Sequence, residues 1–153
     1  AGETDDFSGI ARLGPEPFDE QFGAAYLKSR LSNRRITIKQ GILDQSVVAG
    51  LGNIYADEVL FAAGIAPDRR TGSLSDEQWQ AVAAAMVPVL ESAISRNGTT
   101  FSDYLDGEGR AGQNLPFLQA YQRTGQPCLR CGGTIIKIRV GGRSSHYCPN
   151  CQK

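Results

Sequence analysis

Histidine is scarce in this sequence, acidic residues stop at Glu108, and no apolar run is long. One of the 153 residues is a histidine, His146, which argues against a hydrolase built around a catalytic zinc ion. No segment is long and apolar enough to cross a membrane, and none resembles a signal peptide. We therefore expect no membrane partner and an intracellular protein. The first residue is Ala rather than Met, which predicts a processed chain or a fragment.

The charges balance overall but are unevenly distributed along the chain. There are 16 basic and 16 acidic residues, so the mean charge does not indicate a polyanionic partner. After Glu108, however, all charged residues are basic, and a second basic cluster lies earlier in the chain: Lys28, Arg30, Arg34, Arg35 and Lys39. A neutral protein with two basic segments can bind nucleic acid if both fold onto one face.

The four cysteines form two C-x-x-C pairs, Cys128/Cys131 and Cys148/Cys151, separated by sixteen residues. This spacing is typical of a four-cysteine zinc ribbon, because each pair places two thiolates on one tight turn. Four protein thiolates leave no coordination position for a catalytic water, so we predict one structural Zn²⁺ ion. The alternatives are a pair of disulfides, which a reducing intracellular setting disfavours, and four unrelated buried cysteines.

The residues between the cysteine pairs predict a two-stranded hairpin. From Thr134 to Val140, apolar and basic side chains alternate, as expected for a half-buried strand. Gly141-Gly142 is a hairpin turn signal, and Arg143 follows it directly. A rigid ribbon that presents an arginine near its tip is suited to a phosphate backbone. The alternative is a solvated hairpin with scattered charge.

The stretch from Asp44 to Gly52 mixes apolar residues with glycine, which neither helices nor strands favour. We interpret it as a double turn between two helices, with Asn53 as the cap of the second helix, Ile54 to Ala63. Backbone N–H groups at such a helix start can bind an anion. The alternative is that Asn53 is only a cap. The position of Glu58 leaves open whether its carboxylate is buried or exposed.

Further helices are predicted on both sides of this motif. Asp19 is expected to cap a helix that reaches about Leu31, and a short helix is expected over 34–43. Ser75 and Gln78 form a capping-box pattern before a long helix. One face of that helix carries a predicted core stripe: Trp79, Val82, Met86, Val89 or Leu90, and Ala93.

Two separated motifs resemble the formamidopyrimidine-DNA glycosylase family and the related endonuclease VIII family. They are Leu51-Gly52-Asn53-Ile54-Tyr55-Ala56-Asp57-Glu58 and, before the four-cysteine ribbon, Tyr121-Gln122-Arg123-Thr124-Gly125-Gln126-Pro127-Cys128. The resemblance implies a mainly α fold with a small β zinc ribbon, in which a helix-two-turns-helix DNA-binding domain precedes a four-cysteine zinc-finger hairpin. We expect a linker over 1–18, the helical domain over 19–123 and the ribbon over 124–153.

The resemblance also implies a function. In that family the intact enzyme removes oxidised purines, such as 8-oxoguanine and formamidopyrimidines, and nicks the abasic site, using an N-terminal proline amine and an adjacent glutamate. This sequence begins Ala1-Gly2-Glu3 and has no such Pro-Glu start. We therefore expect the chain alone to bind damaged double-stranded DNA without cleaving it. We further expect a monomer that works in the bacterial cytoplasm, associated with the nucleoid.

Binding residues follow from the same resemblance. Asn53, with Gly52 before it, matches the double-turn asparagine that contacts phosphates beside the lesion. Arg143 matches the ribbon arginine that does so from the other side, and Lys39 matches a basic residue at the start of the double-turn motif. The stretch 106–114 matches the loop that covers the flipped base, and its candidate residues are Gly107, Arg110 and Gly112.

Two alternatives stay open. Gln122 stands where the purine-specific branch usually has glycine, which favours the endonuclease VIII branch and oxidised pyrimidines. The Asn53-Ile54-Tyr55-Ala56 run and the long 106–114 loop favour the purine branch, which we adopt. The other alternative is a non-enzymatic zinc-ribbon module that binds a protein partner.

Overall fold

The fold is a small helical domain followed by a two-stranded ribbon, as predicted. The computed structural model describes residues 14–97 and 118–153, with the side chains of 95–97 left out. The elements in chain order are α1 (Ala24–Leu31), α2 (Ile38–Leu43), α3 (Asn53–Ala63), a single 3₁₀ turn (Thr71–Ser73), α4 (Asp76–Asn97), β1 (Ile136–Val140) and β2 (Arg143–Tyr147). Within the described ranges, no helix combines the length and apolarity needed to span a membrane.

Helix α1 starts later than predicted. Asp19 does not cap it, because its carboxylate instead accepts the backbone N–H of Glu16 at 3.1 Å and closes a turn ahead of the helix. The residue before α1 is Gly23, which has no side chain to cap with. Leu27 and Leu31 are the buried residues of α1. An aspartate can either cap a helix or close a local turn. Asp19 closes the turn, so the predicted start of α1 was wrong.

The predicted linker is also shorter than expected. Gly14 donates its backbone N–H to the carbonyl of Gln45 at 2.8 Å, and Ala49 donates to the carbonyl of Pro15 at 3.1 Å. A Cβ atom on Gly14 would lie 2.5 Å from the Ser46 carbonyl oxygen, so only glycine fits this close approach. Gly14 and Pro15 are therefore packed on the double turn and belong to the helical domain, whereas residues 1–13 lie outside the described ranges.

Helices α2 and α3 frame the double turn. Helix α2 begins at Ile38 rather than in the Arg34 region, because Thr37 and Gln40 form a reciprocal capping box there. Helix α3 begins at Asn53, with Gly52 in the capping position and no side-chain cap. The prediction that Asn53 caps this helix is wrong, and its side chain is free for another contact.

The long helix α4 is built as predicted. The Ser75 hydroxyl accepts the backbone N–H of Gln78 at 3.2 Å, and the Gln78 side chain accepts the N–H of Ser75 at 2.9 Å. Leu90 rather than Val89 completes the stripe, and its five residues are at most 1% exposed and pack in the core between α1, α3 and α4. Burial of a large apolar side chain contributes about 1.5–3 kcal/mol, so this stripe is the main support of the helical domain.

The ribbon is an antiparallel pair that packs on α3. Val140 pairs with Arg143 around the two-residue turn Gly141-Gly142, whose φ angles are 59° and 83°. Both angles are positive, as a type I′ hairpin turn requires, which explains the glycine pair. A second small core, built from Phe61, Ala120, Ile135 and the buried cysteines, joins the ribbon to the C-terminal half of α3.

Candidate nucleic-acid interface and zinc site

The structure brings the four predicted metal ligands together. The sulfur atoms of Cys128, Cys131, Cys148 and Cys151 all lie within 4.8 Å of one another. Cys128 Sγ is 3.8 Å from Cys151 Sγ, and Cys131 Sγ is 3.5 Å from Cys148 Sγ. Four sulfur atoms around a tetrahedral ion with bonds of about 2.3 Å would be separated by about 3.8 Å. All four are free cysteines, so the disulfide alternative is not what the structure shows.

The local backbone favours thiolates at this cluster. The N–H of Arg130 points at Cys128 Sγ at 3.4 Å, and the N–H of Gly133 points at Cys131 Sγ at 3.3 Å. A hydrogen bond from Asn150, followed by that from Gly133, lowers the pKa of Cys131 to about 6, whereas the adjacent Cys131 raises the pKa of Cys151 to about 12. The opposed shifts arise because neighbouring thiols cannot all ionise without a cation, and a divalent ion removes that conflict.

The two predicted phosphate-contact residues are held beside one another. Asn53 Nδ2, at the start of α3, donates to the carbonyl of Ser144 at 3.3 Å. Ser144 directly follows Arg143, the first residue of β2. Arg143 is exposed, and the half-buried Asn53 lies 90 residues before it in sequence. The structure therefore places the start of α3 beside the ribbon tip, and the phosphate contacts of Asn53 and Arg143 stay a prediction.

Lys39 does not lie on that surface, so the expectation that it contacts phosphate is corrected. Its side chain is 0% exposed. The ammonium lies 2.7 Å from Asp57 Oδ1, and it donates to the carbonyl of Ser144 at 2.9 Å and to Ser145 Oγ at 2.7 Å. These three partners match the three N–H donors of the ammonium group, so no donor is left for a DNA phosphate. Burial lowers the pKa of Lys39, although attraction to Asp57 opposes that shift.

Asp57 is the residue that the sequence analysis missed at this site. Its carboxylate is fully buried, and Oδ2 accepts the backbone N–H of His146 at 3.0 Å and lies 3.0 Å from His146 Nδ1. Asp57 on α3 thus links Lys39 on α2 to the second strand of the ribbon. The Ser144 carbonyl is shared by Lys39 and Asn53, so this buried cluster also fixes the backbone next to Arg143. The sequence did contain one indication of this role, because Asp57 lies one helical turn after Asn53 in an amphipathic helix.

Glu58, whose burial the sequence left open, is buried, and both of its carboxylate oxygens accept hydrogen bonds. Its carboxylate accepts three backbone N–H groups, from Gln119 at 2.7 Å, Ala120 at 2.8 Å and Tyr121 at 2.9 Å. Burial raises the pKa of Glu58, and the three N–H groups oppose that shift. The Tyr121 ring then packs edge-on against His146, with ring centroids 4.9 Å apart. Glu58 therefore anchors the segment that leads into the ribbon.

The end of the ribbon is bound back to the helical domain. Gln152, which is 2% exposed, accepts the N–H of Cys148 at 2.9 Å and donates to the carbonyl of Ile65 at 3.1 Å. The N–H of Lys153 donates to the carbonyl of Gly64 at 3.1 Å. The ribbon is thus attached at three places, through Asp57, Glu58 and Gln152.

Most of the early basic cluster is neutralised within the chain. Lys28 pairs with Asp76 at 2.7 Å, and Arg34 pairs with Asp44 at 3.0 Å. Arg30 lies over the Tyr26 ring, 5.9 Å from its centroid. These groups contribute less to a DNA-binding surface than the sequence suggested. The predicted lesion-loop residues Gly107, Arg110 and Gly112 lie outside the described residues, and that prediction stays a prediction.

Two family patterns match the chain. The first, described as "Formamidopyrimidine-DNA glycosylase H2TH domain", matches residues 13–104, and the second, "Zinc finger found in FPG and IleRS", matches residues 125–153. The second covers the ribbon and all four cysteines. The predicted fold class is confirmed, and so is the prediction of one structural zinc ion held by Cys128, Cys131, Cys148 and Cys151.

Curated full-length relatives are similar in sequence to nearly all of this chain. A formamidopyrimidine-DNA glycosylase of Desulfitobacterium hafniense is 51% identical over 94% of the chain and 52% of the relative. One of Parasynechococcus marenigrum is 50% identical over 94% of the chain and 52% of the relative. The chain spans about half the length of the curated relatives it matches.

Solved structures of DNA complexes have the same fold. A complex between the Lactococcus lactis Fpg and DNA that contains an abasic site superimposes with a TM-score of 0.81 at 37% identity, over 98% of this chain and 56% of that one. A MutM complex with DNA that contains carbocyclic 8-oxo-G has a TM-score of 0.80 at 35% identity, over 98% and 55%. From its helical domain, its ribbon and these similarities together, the chain belongs to the formamidopyrimidine-DNA glycosylase family.

Proposed function

We propose that this chain binds the phosphate backbone of duplex DNA, as the DNA-gripping part of a base-excision glycosylase. The observation that supports this most is the shared Ser144 carbonyl, which holds Asn53 beside the strand that begins with Arg143. Two polar side chains from distant parts of the chain, Asn53 and Arg143, are thereby brought beside one another.

The chemistry of these groups suits phosphate. Asn53 Nδ2 uses one N–H on Ser144 and has a second to donate. The start of α3, after Gly52, carries no side-chain cap, and the positive end of the helix dipole there favours an anion. Arg143 supplies an exposed guanidinium with several donors. Contacts of this kind position a protein on the duplex and carry little sequence information.

For the intact protein we propose glycosylase and abasic-site lyase activity on oxidised purines. The curated relatives are named formamidopyrimidine-DNA glycosylases, and solved neighbours are titled as complexes with DNA that contains 8-oxo-G, Fapy-dG or an abasic site. The 153-residue chain spans about half the length of these relatives, so we expect it alone to bind DNA without cleaving it. We propose that the intact protein works as a monomer on the nucleoid, in a bacterial cytoplasm, because DNA is its proposed partner.

Gln122 bears on the choice between purine and pyrimidine lesions. Its φ angle is 60°, in the left-handed region that favours glycine. The backbone there has the shape that a glycine would adopt without strain, so the glutamine does not imply a different local fold. We therefore retain the purine branch, with the endonuclease VIII type as the alternative.

The test is a binding titration against a duplex with an abasic-site analogue and against the undamaged duplex, each at two salt concentrations. We expect salt-dependent binding to both, with log K falling by about 0.9 per log unit of salt for each phosphate contact. Arg143→Ala should weaken binding, whereas Lys137→Ala, an equal loss of charge further from the tip, should have little effect.

Three outcomes decide the proposal. Salt-dependent binding that Arg143→Ala weakens supports it. A DNA affinity that does not change with salt concentration contradicts binding through phosphate contacts. No binding at either salt concentration favours the alternative of a protein-binding zinc-ribbon module. Cleavage of either duplex by the pure chain would overturn the expectation that it is inactive alone.

A further inference from the structure

An open cleft with three arginines lies away from the buried Lys39 cluster. Its volume is about 610 Å³, and its walls come from the loop after α1 and the segment around the 3₁₀ turn: Ser32, Asn33, Arg34, Arg35, Arg70 and Gly72. None of these six residues is acidic. A cleft lined by cations without a carboxylate is an electrostatic site for an anion.

The walls of the cleft are tied to one another. The hydroxyl of the buried Thr71 donates to the carbonyl of Arg34 at 2.8 Å, and its N–H donates to the carbonyl of Ile36 at 3.0 Å. Arg70 Nη1 donates to the carbonyl of Arg35 at 3.2 Å. The two segments therefore keep their separation, and an anion would meet a preorganised site rather than two independent loops.

Two of the three guanidinium groups are not neutralised. Arg34 pairs with Asp44 at 3.0 Å. Among residues 14–97 and 118–153, the Arg35 side chain has no hydrogen-bond or ion-pair partner, and the Arg70 side chain donates Nη1 to a carbonyl without meeting an acid. Lys28, in the same basic cluster of the sequence, pairs with Asp76. Of the arginines that line the cleft, Arg35 and Arg70 therefore carry the positive charge that no carboxylate of the described residues offsets.

The cleft is close to the proposed DNA surface. Thr37 forms a bridge with Arg70 and precedes α2, and Gly141 at the ribbon tip lies against Gln40 in the first turn of that helix. The distance along α2 between these two points is about one helical turn, or roughly 5 Å. We therefore expect a duplex that contacts Arg143 beside this tip to pass near the entrance of the cleft.

We propose that the Arg35–Arg70 cleft is a second phosphate-binding site, which takes a backbone phosphate of DNA outside the Asn53–Arg143 contact. This inference rests on the proposed function, because it assumes that DNA is the ligand. It adds a contact on the side of the molecule formed by the loop after α1. Arg35 is the side chain to change, because Arg70 also supports the wall through its bond to the Arg35 carbonyl.

The experiment measures the Kd of the full 153-residue chain for an undamaged 30-base-pair duplex from 0.05 to 0.3 M salt. The proteins are wild type, Arg35→Gln and the control Lys28→Gln, which also removes one exposed positive charge. Loss of one phosphate contact should lower the magnitude of the salt slope by about 0.9 and weaken binding about eightfold at 0.1 M salt. We expect this for Arg35→Gln and not for Lys28→Gln.

Each result has a definite meaning. If the two variants have equal slopes, the cleft holds no phosphate and the inference is wrong, while the proposed function stands. If the wild type does not bind DNA at all, the proposed function and the inference both fail. A poly-glutamate peptide is the second probe. If it binds wild type but not Arg35→Gln, and the DNA slope is unchanged, the cleft takes an acidic protein segment and the phosphate proposal is overturned.

Discussion

Replacing Glu58 by glutamine tests how the helical domain holds the segment that leads into the ribbon. The carboxylate is 7% exposed and accepts three N–H groups at 2.7–2.9 Å, two at Oε2 and one at Oε1. Glutamine has one carbonyl oxygen, so its NH₂ group must face at least one backbone donor. A lost hydrogen bond to a charged group is worth about 1.5–3 kcal/mol. We expect the free energy of unfolding to fall by about 2–3 kcal/mol at neutral pH.

The pH dependence gives a second, independent expectation. Burial raises the pKa of Glu58 above its ordinary value, so the folded protein binds the proton at a higher pH than the unfolded chain. The wild type therefore gains stability from this group as the pH falls through the folded pKa toward the unfolded value. The glutamine variant has no such gain, so the stability difference between the two should widen as the pH falls from 7.5 toward 5.5.

The assay is guanidinium unfolding followed by helical circular dichroism, at fixed zinc concentration and at several pH values. Glu91→Gln is the control, because Glu91 is an exposed carboxylate on α4, and its replacement should change stability by less than about 0.5 kcal/mol. If the Glu58→Gln protein is as stable as the wild type, the three hydrogen bonds to the carboxylate do not stabilise the fold as argued. A difference that narrows as the pH falls would show that the N–H groups outweigh burial.

Three further predictions concern the ribbon and its supports. Asp57→Asn should cost about 3–5 kcal/mol in chemical denaturation, because it leaves Lys39 buried without its counter-charge, and adding Lys39→Met should recover most of that loss. Gln122→Gly should raise the free energy of unfolding by up to about 1 kcal/mol, seen as a higher Tm, because φ is 60° there. Removing zinc with a chelator should abolish DNA binding while helical circular dichroism persists; a chelated protein that still binds DNA would show the ribbon to be dispensable.

The features predictable from the sequence were those with short-range signals. The zinc ligands follow from two C-x-x-C pairs, and the α4 stripe follows from one helical period, so both needed only local spacing. The Gly141-Gly142 turn is likewise a two-residue signal whose backbone angles came out as expected. Each of these patterns has one structural solution, and the structure adopts it.

The features that the sequence could not supply depend on distant partners. Glu58 was undecidable because its three donors lie 61–63 residues further along the chain. Lys39 was expected to contact DNA because it matches a basic residue at the start of the family's double-turn motif, and only the approach of Asp57 from another helix makes its burial tolerable. The late start of α1 had a local cause, since Asp19 can serve a turn as well as a helix cap.

The buried pair of Lys39 and Asp57 has a consequence for how this family varies in evolution. An isolated change at either position leaves one charge enclosed without a partner, so single replacements are selected against. We expect the two positions to covary among relatives, kept together as an ion pair or replaced together by apolar residues. Because the Ser144 carbonyl is shared with Asn53, such a paired replacement would also alter the background in which substitutions at Asn53 act. We therefore expect substitutions at positions 39, 53 and 57 to depend on one another, although these residues lie on two different helices.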